Sequence, residues 1–252
     1  MRKLIWGLLL SLLCAPALAN WNDPAYVKRA FSLIALNNEY DNLSHPVRKW
    51  HKPIRVYLDH RVGDAPLHTM LTTIQLGDLA RVTGHDIALV DAPGKANIRV
   101  VFTTEKRWQD ETRELWPTQK DFPFRGAICM AHMTTSSVGE IKTALIVIPV
   151  DLARHRGKLL ACLVEELTQT MGLPNDSDKV YPSIFNDSSK NNLMSPLDIT
   201  LLRLLYSPEV RAGMGKTQVM PLLDKWFTDH PGWPQQSIDL YLKSEFVTKL
   251  GL

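Results

Sequence analysis

The run Ala144-Leu145-Ile146-Val147-Ile148 constrains this chain most. Five consecutive apolar residues without alternation describe a strand buried on both faces, not one lying on a half-exposed sheet. Other strands show the ordinary alternation. Ile54, Val56 and Leu58 alternate with Arg55, Tyr57 and Asp59, which predicts a half-buried strand. Short strands are expected at 86–90 and around Ile98, Val100 and Phe102. The segments 127–135 and 143–150 form a hairpin about the turn at Ser137 to Gly139.

Helices separate these strands. Asp23-Pro24 is a cap followed by a first-turn proline, and Val27, Phe31 and Ile34 lie on one face through about Leu36. Leu67, Met70, Leu71, Ile74, Leu79 and Val82 recur at helical spacing, and Gly84 ends that helix. A long helix is expected over about 152–171, an irregular polar segment over 174–192, and a further helix over 196–206. The order predicts an α+β fold in which a twisted mixed sheet packs on the 67–82 and 152–171 helices. The stretch 216–252 is expected to be a partly helical extension packed on the domain of residues 20–215, because it is too short to build a core alone.

Residues 1–19 read as an export leader. Arg2 and Lys3 precede an apolar stretch from Leu4 to Leu13, and Ala17-Leu18-Ala19 is a small-residue cleavage site. No second apolar run is long enough to span a bilayer, so a periplasmic or secreted protein without stable membrane insertion is expected. The precursor carries a net charge of +3, and Arg2 and Lys3 account for most of it. A nearly neutral mature chain without a basic stripe argues against nucleic acid as a partner. Cleavage also removes Cys14 and leaves Cys129 and Cys162. An even count in an oxidising compartment favours a disulfide, worth roughly 3–4 kcal/mol by chain entropy. Two buried free thiols are the alternative.

The chemistry concentrates in Cys162-Leu-Val-Glu-Glu-Leu-Thr-Gln169 and the Gly172-Leu-Pro-Asn-Asp176 beyond it. Cys162, Glu165, Glu166 and Gln169 share one helical face, whereas Leu160, Val164, Leu167 and Met171 share the core face. The polar face therefore meets solvent or a cleft. Gly172 ends the helix and Pro174 prevents its return. The plain reading is a solvated helix face with an ordinary Asn-Asp-Ser turn behind it. The eight histidines contain no i,i+4 pair, so no helical imidazole metal site is present.

Most of the chain, from about Phe31 to Met214, resembles the bacterial family catalogued as domain-of-unknown-function family 2927. The resemblance is carried by Glu39-Tyr40, Trp50, Pro53-Ile54, Glu165 to Gln169, Gly172-Leu173 and Asn175-Asp176-Ser177. Ser183 to Asp187 and Leu204 to Tyr206 complete it. A second resemblance is to metzincin zinc proteases, whose pattern is H-E-x-x-H-x-x-G-x-x-H. On that grid this chain places Glu165, Glu166, Gln169, Gly172 and Asn175, with Met194 where such proteases carry a methionine turn. The resemblance implies a zincin-like fold with strand 127–135 as the edge strand beside the cleft. It implies Glu166 as the base of any activity, with Glu165 and Gln169 as its partners. Asn175, Asp176, Asp178, His132 and Met194 are then the expected cleft residues.

All three ligand histidines are replaced by oxygen-bearing residues. Amide oxygen is a feeble zinc ligand, so no zinc cofactor is expected. Calcium or magnesium suits oxygen donors better, with Asp176, Asp178 or Asp187 adding charge. A general base without a metal contributes about 10²–10⁴-fold, too little for efficient peptide hydrolysis. The expected function is a non-catalytic, protease-like domain that holds an extended peptide or cell-envelope polymer by strand addition. The alternatives are a hydrolase with an oxygen-ligand or metal-free Glu/Gln site, and a structural envelope protein.

Overall fold

The computed structural model describes residues 20–37, 44–118, 124 and 126–251. The leader expected over 1–19, and Glu39-Tyr40, lie outside the described residues. Five strands form one sheet: β1 (Ile54–His60), β2 (Ile87–Leu89), β3 (Ile98–Thr103), β4 (Met130–Thr135) and β5 (Ile141–Pro149), in the order β2-β1-β3-β5-β4. β1 pairs in parallel with β2 and β3, and β3 in parallel with β5. β4 alone is antiparallel and lies at the edge beyond β5. The architecture is a mixed α/β fold.

β5 is buried on both faces for a visible reason. Ala144, Ile146 and Ile148 enter the main core, whereas Leu145 and Val147 enter a smaller one on the opposite face. That second core is covered by α3 (Trp108–Leu115), whose Trp108 lies edge-on to Phe124 at 5.0 Å. Apolar periodicity predicts no element there. Four of the eight residues of α3 are charged, and its buried side includes Glu111 and Thr112, so the apolar signal is weak.

α1 (Pro24–Ala35) begins as its sequence predicts, with Asp23 Oδ1 accepting the Ala25 amide at 3.1 Å. α2 (Ala65–Thr83) ends at Gly84, which adopts φ 68°. Leu71, Ile74 and Leu79 are buried as the apolar spacing predicts, but the rest of the stripe differs. Leu67 and Met70 are 37% and 46% exposed, while His68, Thr72, Gln75 and Asp78 are buried. Polar contacts hold that stripe in place. Gln75 Nε2 donates to Thr168 Oγ1 at 3.0 Å, and Asp78 Oδ2 accepts the Ser244 hydroxyl at 2.5 Å.

His68 is different. It is fully buried, its ring stacks 4.4 Å from Phe102 and 5.8 Å from His60, and neither ring nitrogen has a hydrogen-bond partner among the described residues. Burial, then His60 and Arg154, push its pKa from 6.5 down to about 4, against the opposing charge of Asp64. The unfolded chain therefore takes up a proton at a pH where the folded chain does not. The stability due to neutral His68 is complete above pH ~6.5 and is lost as the pH falls toward ~4, roughly 3 kcal/mol in total. We expect His68→Phe to flatten the acid limb of the stability profile by up to that amount in denaturant titrations. An acid limb identical to the parent's would refute the assignment.

The helix expected over 152–171 is two helices, α4 (Val150–His155) and α5 (Leu159–Gln169). Gly157 separates them at φ 65°. The Lys158 amide reaches the Ala153 carbonyl at 2.7 Å, and the Gly157 amide reaches Arg154 at 2.9 Å, the pairing of a Schellman cap. The apolar periodicity runs through that break, which is why it hides the cap. α6 (Pro196–Leu205) starts with a capping box between Ser195 and Asp198. The C-terminal stretch forms α7 (Lys216–Asp229), α8 (Trp233–Leu242) and α9 (Glu245–Leu250). They pack on α1, α6 and α2 respectively, and Trp226, Phe227, Trp233 and Phe246 join the main core. No described helix is long and apolar enough to cross a membrane.

Candidate functional site

The polar face of α5 borders a cleft of about 720 Å³. Cys162, Glu165, Glu166 and Gln169 form one wall. Residues 126–131, which lead into β4, form the opposite wall, and Ile184, Asn186, Asp187, Ser189 and Asn191 close a third side. The Cys129–Cys162 disulfide joins the first two walls, with an S–S distance of 2.00 Å.

The end of α5 is held from outside the helix. Trp50 Nε1 donates to the Thr170 carbonyl at 2.7 Å, and the Tyr206 hydroxyl donates to the Met171 carbonyl at 2.9 Å. These are carbonyls that a helix terminus leaves without intrahelical partners. Burial raises the Tyr206 pKa, which keeps that hydroxyl a donor. Gly172 then turns the chain at φ 111°.

Beyond Gly172 the chain departs from the metzincin ligand grid. Asn175 is 7% exposed, its Nδ2 donates to the Leu33 carbonyl at 2.8 Å, and its amide donates to Ile34 at 3.2 Å. It caps the C-terminal end of α1 and does not line the cleft, contrary to the sequence expectation. That anchor directs the next residue, Asp176, into the cleft. Gln169 Nε2 donates to both Asp176 oxygens, at 3.0 and 3.2 Å. A carboxylate accepts only, so it fixes the amide with nitrogen toward it.

The loop after Asp176 returns to the same place. The Ser177 amide donates to the Phe185 carbonyl at 2.8 Å, and Asn186 Nδ2 donates to Val180 at 2.8 Å and Asp178 at 3.2 Å. Beneath it lies the fully buried Asp198. Its carboxylate accepts the Ser183 hydroxyl at 2.5 Å, the Ile184 amide at 2.9 Å and the Ser195 amide at 2.7 Å. This framework delivers Asp187, and carboxylate oxygens of Glu165, Asp176 and Asp187 all lie within 4.8 Å of one another.

Three other expected residues lie elsewhere. The Asp178 carboxylate accepts the Ser188 hydroxyl at 2.8 Å and does not line the cleft. His132 pairs with Leu145 across β4 and β5, on the face of the smaller core, and its ring meets Trp116 edge-on at 4.8 Å. Burial lowers its pKa. Met194 is buried and lines a separate small hollow with Gln75, Asp78 and Leu193. Lys158, Ser189 and Asn191 also line the cleft; Lys158 is the N-cap of α5, four residues before Cys162, and the loop path brings the other two there.

Three converging carboxylates form a hard oxygen set. Such a set suits calcium, magnesium or a cationic organic group better than zinc. Glu166, 5% exposed, follows Glu165 on α5 and lines the same cleft. The family described as protein of unknown function (DUF2927) matches residues 24–225, from α1 into α7. No curated protein matches the chain.

Proposed function

Because the chain belongs to the DUF2927 family of proteins of unknown function, which supplies no activity, we propose from the cleft itself that it binds an extended peptide or cell-envelope polymer without cleaving it. One observation carries this reading. The cleft runs along the approach to an edge strand that pairs only on its β5 side among the described residues, opposite a polar helix face. An extended chain added there gains main-chain hydrogen bonds from β4 and side-chain contacts from α5. The zincin-like assignment is part of the same proposal. It is supported by parallel strands closed by one antiparallel edge strand, beside a helix that ends in glycine. Export is supported by the leader-like residues 1–19 and by the disulfide.

A second reading has its own support. Glu165, Asp176 and Asp187 converge beside Glu166, which suits a hydrolase with a hard-cation or metal-free oxygen site. One experiment separates the two. The mature protein is incubated with a random nonapeptide pool and with peptidoglycan fragments, and amide exchange, cleavage products and bound metal are measured. Binding predicts slowed exchange across β4, abolished by Asn191→Trp, which fills the cleft from its rim. Cleavage that Glu166→Gln removes, together with stoichiometric metal lost in a Glu165→Ala, Gln169→Ala variant, would establish the hydrolase instead.

A further inference from the structure

We infer that His68 is an acid-sensitive latch on the first turn of α2, which on protonation releases residues 64–70 while the remainder of the molecule stays folded. This goes beyond the cleft reading above and does not depend on it. The latch rests on where the ring sits. His68 is fully buried and lies nearly parallel to Phe102 at the end of β3 and to His60 at the end of β1, with interplanar angles of 9° and 17°. Neither of its nitrogens, nor Nδ1 of His60, has a hydrogen-bond partner among the described residues. A neutral imidazole there leaves one donor and one acceptor unmet. Proton uptake makes both nitrogens donors and adds a charge that an apolar setting does not solvate. The charged ring must reach water, and the turn that carries it moves with it.

The neighbouring charges do not relieve that demand. Burial, His60 and the Arg154 guanidinium of α4 disfavour the imidazolium, and Asp64 alone favours it. The Asp64 carboxylate is already engaged by Arg154 at 2.7 Å. Beside His60 on β1, Asp59 is bound by Arg61 and Arg99, and Arg61 also meets Glu111 of α3. α5 meets α2 through Thr168 and Gln75, whereas its acids Glu165 and Glu166 line the cleft.

The first turn is the lightly held part of α2. Asp64 at its N-cap is, among the described residues, the only non-glycine residue at positive φ, 64°, and its side chain makes no cap hydrogen bond. Its pair with Arg154 is 58% and 43% exposed, and such pairs add little stability. Leu67 and Met70 are exposed on the same stretch. Opening gives up two further contacts, the 3.3 Å approach of Thr69 Oγ1 to His60 Nε2 and the 2.7 Å bond from the Thr72 hydroxyl to the His68 carbonyl. Beyond it the helix is anchored, because Leu71, Thr72, Ile74 and Gln75 are buried and Gln75 is bonded to α5. A helix end with few buried contacts opens at lower cost than the whole domain. Release of 64–70 therefore frees the ring without undoing those anchors.

The test is amide exchange of the mature protein across a pH series, corrected for the intrinsic pH dependence of exchange. The amides of 68–71 report on the first turn, and those of 75–83 serve as the reference in the same helix. A proton bound by the open form and not by the closed form raises the opening constant by up to about tenfold for each pH unit between ~6.5 and ~4. Protection at 68–71 is expected to fall by that factor, and protection at 75–83 to fall by much less. A His68→Phe variant, shown by thermal unfolding to be folded, is expected to hold its protection at 68–71 within about threefold over the same range, since no proton is taken up there. Equal loss of protection at 68–71 and 75–83 in the parent would mean that acid only unfolds the whole chain, and would overturn the latch. Unchanged protection at 68–71 down to pH ~4 would overturn it too. A first turn that still opens in acid in His68→Phe would move the trigger to another group and overturn the assignment to His68.

Discussion

Gly172→Ala is expected to lower the unfolding free energy by about 3–5 kcal/mol, from backbone strain and overpacking together. Gly172 adopts φ 111°, a region that side-chain-bearing residues rarely enter. A Cβ there would also lie 2.1 Å from the Arg48 carbonyl oxygen and 3.0 Å from its carbon. Arg48 has little room to retreat. The Val47 amide is bonded to the Met214 carbonyl at 2.8 Å, the Lys49 amide to Gly139 at 3.2 Å, and Trp50 to the end of α5. Moving Arg48 would disturb the contacts that position the helix terminus. Moving Gly172 would disturb the turn that leads to Asn175 and Asp176. Denaturant unfolding of the variant measures the loss, and a change below about 1 kcal/mol would mean that the close approach is not a constraint. Amide exchange near Asp176 is expected to rise in the same variant, since the turn that aims it at Gln169 is strained.

Asp198→Ala is expected to cost a comparable amount, about 3–5 kcal/mol, by a different route. Its carboxylate accepts the Ser183 hydroxyl and the amides of Ile184 and Ser195, all in a fully buried place. Alanine leaves those donors unpaired where water does not reach. Asp198→Asn keeps one acceptor but turns an amide donor toward other donors, so a smaller loss of about 2 kcal/mol is expected. The loop from Ser183 carries Asp187, so both variants should also displace that carboxylate from its place beside Glu165 and Asp176.

The pH response provides an independent check on Asp198. Burial outweighs its hydrogen bonds and raises its pKa from 3.8 to about 6. The folded state then takes up the proton first. The stabilisation linked to protonation is complete below pH ~3.8 and is lost as the pH rises through ~6, roughly 3 kcal/mol in all. That sign is opposite to His68, whose contribution is lost on acidification. The parent can therefore show a shallow acid profile in which two large effects offset each other. Asp198→Asn should steepen it and His68→Phe should flatten it. A parent-like profile in Asp198→Asn would contradict the assignment.

Much of the fold was legible because it depends on local rules. The Asp23 cap, the Gly84 terminus, the alternation of β1 and the double burial of β5 follow from side-chain periodicity and backbone preference. The shared face of Cys162, Glu165, Glu166 and Gln169 follows from 3.6 residues per turn, and all four line the cleft. The pairing of Cys129 with Cys162 followed from the count that remains after the expected cleavage. Local rules failed where long-range contacts override them. Apolar spacing placed Leu71, Ile74 and Leu79 in the core correctly, but it also placed Leu67 and Met70 there, whereas α2 buries His68, Thr72, Gln75 and Asp78, because the sheet, α5 and Ser244 offer that face its partners. The continuous apolar pattern hid the break at Gly157.

The amino-acid sequence by itself determined where most of the helices and strands form, which face of α5 is polar, and that Gly172 turns the chain beyond it. Each of these is set within a few residues by dihedral preference and periodicity. Only the tertiary structure decided which acids meet. Asn175 occupies the grid position, but the carbonyls of Leu33 and Ile34 claim it. Asp176 takes its place, and Asp187 joins because Asp198 and Asn186 pin a loop that periodicity does not describe. The meeting point is set by hydrogen bonds between residues far apart in the chain. No local spacing encodes it.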